Sequence, residues 1–75
     1  MLAYYHVYLK CGGYITVRAS CVRHCKSIIP ESKEIWLCFF SSGSVDNEIC
    51  SIPQDVIDHI YVFDDYGRKI SDWRE

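Results

Sequence analysis

From Tyr4 to Lys10 the chain alternates. Tyr5, Val7 and Leu9 fall on one side of a period-2 pattern, and Tyr4, His6, Tyr8 and Lys10 on the other. Aromatic and β-branched residues in that rhythm predict a half-buried strand. Cys11-Gly12-Gly13 then offers residues free to take positive φ, and Tyr14 to Ala19 alternates again, with Ile15, Val17 and Ala19 inward and Thr16 and Arg18 outward. The two runs predict a β-hairpin.

The rhythm fades from Ser20 to Lys33, which reads as a long basic loop with at most one extended or helical turn near Val22, closed by the turn signal Pro30-Glu31-Ser32. Glu34 to Phe40 is apolar on both faces, as expected of a third strand covered on two sides or lying near a barrel axis, in the middle of the core. Ser41 to Asn47 is a turn cluster, so Glu48 to Ile52 should return antiparallel to that strand. Pro53 to Asp58 suits one short helical or 3-10 turn, because proline lacks the donor a central strand needs. Ile60 to Phe63 is the fifth strand, Asp64 to Gly67 a turn, and 68–75 a short extra strand pinned by Ile70 and Trp73, or a frayed tail.

These elements predict a mainly β fold: a small five-stranded antiparallel barrel with one short turn before the last main strand. Val7-Tyr8-Leu9-Lys10-Cys11-Gly12-Gly13-Tyr14-Ile15-Thr16-Val17 and Ile52-Pro53-Gln54-Asp55-Val56-Ile57-Asp58-His59-Ile60-Tyr61-Val62 together resemble the SH3-like barrel, which carries a 3-10 turn between its fourth and fifth strands. A tiny acidic barrel of this kind is also similar to small proteins of phages and mobile elements, including some anti-CRISPR proteins. That resemblance implies an inhibitor of host nucleic-acid machinery. It carries no shared motif, so no residue role comes with it.

Size narrows the reading. A chain of 75 residues buries only about 60% of its unfolded surface, enough for one domain over residues 1–75 with little room for a deep catalytic cleft. The N-terminal residues lack the basic and apolar regions of a signal peptide, and charged residues interrupt every apolar run before the roughly 20 residues a membrane span needs. The expectation is a soluble, cytoplasmic protein. Its five cysteines, Cys11, Cys21, Cys25, Cys38 and Cys50, then read as reduced thiols, with Cys38 and Cys50 in or near the core.

Candidate reactive chemistry is sparse. There is no P-loop, no G-x-G-x-x-G and no H-E-x-x-H, so the expectation is a non-enzymatic protein without cofactor. Cys25 has a basic neighbourhood in Arg23, His24 and Lys26 but no orienting third group for a nucleophile. Cys21, His24 and Cys25 form an alternative zinc set, needing a fourth ligand from Cys11, Cys38, Cys50, His6 or His59. Against it, the spacing is C-x₃-C with no second pair; Cys21 then simply continues the inward face while His24 and Cys25 are solvated.

Charge and aromatics remain. Residues 1–33 hold five basic side chains against Glu31 alone, a net of +4, whereas 34–75 hold nine acids against Arg68, Lys69 and Arg74, a net of −6. With Tyr5, Phe39 and Phe63 filling the core, Tyr4, Tyr8, Tyr14 and Tyr61 are left at the surface, where tyrosine anchors interfaces. Joined by Asp46, Glu48, Asp64 and Asp65, with Asp72 and Glu75 in the same acidic set, they predict a face for a protein partner with a basic surface. The alternative is a nucleic-acid-binding barrel using Lys10, Arg18, Arg23, Lys26 and Lys33, with bases stacked on Tyr8 or Tyr14. Exposed edges of an open barrel also allow a homodimer.

Overall fold

A computed structural model of the chain describes residues 2–26, 31, 33–41 and 47–73. Among these the chain forms β1 (Ala3–Leu9), β2 (Tyr14–Ala19), β3 (Cys21–Lys26), β4 (Ile35–Phe40), β5 (Glu48–Pro53), a 3-10 turn at Gln54–Val56, β6 (Ile57–Phe63) and β7 (Lys69–Trp73). They build a four-stranded sheet in the order β2-β1-β6-β7 and a three-stranded sheet in the order β3-β4-β5, with every pairing antiparallel.

Both predicted hairpins are present. In the first, Gly12 and Gly13 take φ of 103° and 77°, and the Leu9 amide donates to Gly13 O at 3.1 Å. Only glycine enters that region without a Cβ penalty. Most of the second turn, residues 42–46, lies outside the described residues, as do 27–30, 32 and 74–75. A 3-10 turn follows Pro53, and Lys69–Trp73 makes the extra strand.

Three expectations change. The stretch after Ser20 contains a strand, β3, rather than only loop. Val22 packs against the core on one side of it while Cys21, Arg23 and Cys25 take the other. One aliphatic residue on the inner side gives little hydrophobic alternation to read. Ser20 alone separates β2 from β3; its amide donates to Phe40 O at 2.8 Å, and the chain there leaves one sheet for the other. The count is therefore seven strands rather than five, in two sheets with no closed barrel among the described residues.

The core lies between the sheets. Tyr5, Val7, Val17, Ala19, Ile60 and Val62 from the four-stranded sheet meet Leu37, Phe39 and Ile52 from the other. Tyr5 and Phe39 touch edge to face, ring centroids 5.7 Å apart. β4 is buried on both faces from Leu37 to Phe40, as its composition predicts. Phe63 does not join this core. It alternates with Val62, so it faces outward, its ring 4.3 Å from that of His6.

Cysteine chemistry also differs from expectation. Arg23 is opposite Cys38, which puts Cys25 on the same face one diagonal away, with Cα atoms 6.3 Å apart, and the two are joined as a disulfide. Cys11, Cys21 and Cys50 carry thiols. No helix among the described residues is long and apolar enough to cross a membrane.

Candidate binding face

The outer side of the four-stranded sheet is tiled with rings. Register places Tyr8 opposite Tyr14 on β2 and His59 on β6, and His6 opposite Tyr61, so alternate residues of three strands share one surface. Tyr8 stacks on His59 at 4.4 Å between centroids and meets Tyr14 at 5.1 Å and Tyr61 at 5.4 Å. His6 lies between Tyr14 at 5.3 Å and Phe63 at 4.3 Å. His59 closes the set against Tyr61 at 4.7 Å. Tyr4 takes the end of the same face, opposite both Arg18 and Phe63.

Among the described residues two cations border this wall, each lying over a ring and near a carboxylate. Arg18 sits 5.4 Å above the Tyr4 centroid and 3.7 Å from Asp65 Oδ1. Lys69 Nζ is 4.0 Å from the Tyr61 centroid and 2.6 Å from Asp72 Oδ1. A third carboxylate, Asp58 Oδ2, is 2.8 Å from His59 Nδ1. These exposed pairs hold the flanking side chains over the rings more than they stabilise the fold, since solvent and salt screen them.

All four predicted tyrosines, Tyr4, Tyr8, Tyr14 and Tyr61, are therefore brought together on one face, with Asp65 at its border. Asp64 is occupied differently: its Oδ1 accepts from the Tyr66 and Arg68 amides, both at 2.9 Å, and so caps the β6–β7 turn. Glu48 starts β5 in the other sheet, away from the rings. Asp46 lies outside the described residues.

The basic set is split. Arg18 belongs to the ring face, whereas Arg23 sits on the outer side of the three-stranded sheet, its guanidinium 5.8 Å from the Phe40 centroid. Lys10 is in the first hairpin turn and Lys33 precedes β4. The zinc set is not assembled either. Alternation puts His24 on the side of β3 opposite Cys21 and Cys25, its ring 5.6 Å from Trp73, and Cys25 is held by Cys38. No group of three or more His, Cys, Asp or Glu able to hold a metal occurs among the described residues.

Sequence reasoning missed His6, His59 and Phe63 as parts of the wall. The signal was present. His6 shares the side of Tyr4 and Tyr8, and extending the alternation of β6 back to its true start at Ile57 aligns His59 with Tyr61 and Phe63. No family model, curated protein or solved structure matches the chain.

Proposed function

We propose that this protein is a non-enzymatic docking module that offers the ring wall of its four-stranded sheet to a protein partner with a basic surface. The carrying observation is the wall itself: Tyr4, His6, Tyr8, Tyr14, His59, Tyr61 and Phe63 on one solvent-side face, outside the core. Rings held by one another lose little side-chain freedom on binding, and tyrosine hydroxyls and histidine nitrogens add hydrogen bonds to a large apolar contact.

Charge favours protein over nucleic acid. Among the described residues the two cations of the face are matched against Asp65 and Asp72, and Asp58 adds a carboxylate, so phosphates would meet no basic excess from these groups. A basic protein surface meets complementary charge instead. Within that class a nucleic-acid-handling protein presents such a basic surface, and it is the partner that the resemblance to small phage and mobile-element inhibitors implies. The 3-10 turn between β5 and β6 supports an SH3-like arrangement of these strands.

The test is affinity capture from nuclease-treated lysate with tagged full-length protein, wild type against a Tyr14→Ser, Tyr61→Ser double variant. Wild type should retain a partner that the variant loses. Equal retention by both proteins removes this face, and retention that vanishes after nuclease treatment transfers the face to nucleic acid.

A further inference from the structure

At the open end of the sandwich, beside the ring wall, a cleft of about 310 Å³ runs between the sheets. That is the low end of ligand-sized pockets, roughly 300–1,000 Å³. Leu37 and Ile60, 1% and 2% exposed, close its floor, and Ile57 and Trp73 extend the apolar lining. Asp58 and His59 line it from the solvent side, with side chains 60% and 39% exposed. Among the described residues no lysine or arginine lines the cleft, and Asp58 is its one carboxylate.

We infer that this cleft takes the side chain of an arginine from the protein partner, which deepens the docking proposal above and rests on it. An arginine carries an aliphatic stem of three methylenes, which suits Leu37, Ile57 and Ile60, and a planar cation, which suits an indole face. The guanidinium fork also matches a carboxylate bidentately, which an ammonium cannot do. With its proton on Nδ1, His59 donates to Asp58 Oδ2 and steadies the carboxylate, leaving Oδ1 and further lone pairs to accept from the incoming group. His59 in turn stacks on Tyr8, so an arginine seated here brings its backbone onto the border of the ring wall.

The test uses ¹⁵N-labelled full-length protein titrated with Nα-acetyl-arginine N-methylamide, followed by backbone amide and tryptophan indole shifts. Saturable shifts are expected at residues 57–60 and at the Trp73 indole. The neutral isostere Nα-acetyl-citrulline N-methylamide should bind at least tenfold more weakly, and Asp58→Asn should weaken the arginine probe by at least the same factor. Absence of saturable shifts in the wild type, equal binding of citrulline, or an unaffected Asp58→Asn variant would each overturn the inference. The probe is too small to report on the wall. Persistent arginine shifts in a protein whose wall captures nothing would remove the wall proposal alone, and the reverse pattern would remove the cleft alone.

Discussion

Tyr5 reaches from β1 into the interior, and its ring edge meets Phe39 of the opposite sheet. It is 8% exposed, and burial raises the pKa of its hydroxyl above the usual 10.0, with the nearby Cys21 adding to the rise. Burial also raises the Cys50 thiol above its usual 9.0, with Glu48 as the second cause. The native state thus holds both protons more tightly than the unfolded chain does. The sign follows from linkage: their contribution is complete below the unfolded pKa values and is lost as pH rises through the folded ones. Stability should begin to fall above about pH 9 as Cys50 enters its window, and more steeply above about pH 10 as Tyr5 follows. Urea midpoints measured from pH 7 to 11 check this, and Tyr5→Phe should flatten the steeper part of the decline. A decline equally steep in Tyr5→Phe would assign it to other groups.

Among the elements, β3 is the one that a period-2 reading cannot find. Its inner side offers Val22 and His24, and its outer side Cys21, Arg23 and Cys25, so neither side reads as a hydrophobic stripe. β1 and β2, by contrast, were legible because Tyr5, Val7 and Val17 alternate with polar or aromatic neighbours and two glycines mark the turn. β6 was legible in kind but entered three residues late, because Pro53 and the acids after it masked where the 3-10 turn stops. The disulfide was illegible for a different reason: the pairing of Cys25 with Cys38 depends on the register of a strand that local sequence does not announce. It ties an edge strand to the central strand of its sheet across a sequence separation of 13, and closing a loop of that size is worth about 3 kcal/mol. Thiol titration of the denatured, unreduced protein should therefore count three groups, rising to five after reduction. Reduction should also lower stability by about 2–3 kcal/mol. Five thiols before reduction would dismiss the bridge.

At the scale of the whole molecule, the two faces of the four-stranded sheet do different work. The inner face meets Leu37, Phe39 and Ile52 and supplies the burial that holds a 75-residue chain together. The outer rings touch mainly one another, as cross-strand pairs each worth about 0.2–1 kcal/mol. The tyrosine positions of the wall follow from alternation alone, whereas the separation of the basic residues onto two sheets needed the crossing at Ser20. This division predicts unequal mutational costs. Tyr14→Ser with Tyr61→Ser removes several outer ring contacts and should cost about 1–2 kcal/mol, lowering the melting temperature by roughly 5–15 °C with the cooperative transition kept. Phe39→Ala empties a position that is 0% exposed and should cost about 3–5 kcal/mol, enough to unfold much of so small a domain at 25 °C. Urea denaturation of both variants, followed by tryptophan fluorescence, makes the comparison. A double wall variant that unfolds as fully as Phe39→Ala would place those rings among the supports of the fold, and a surface so committed would not be free to dock.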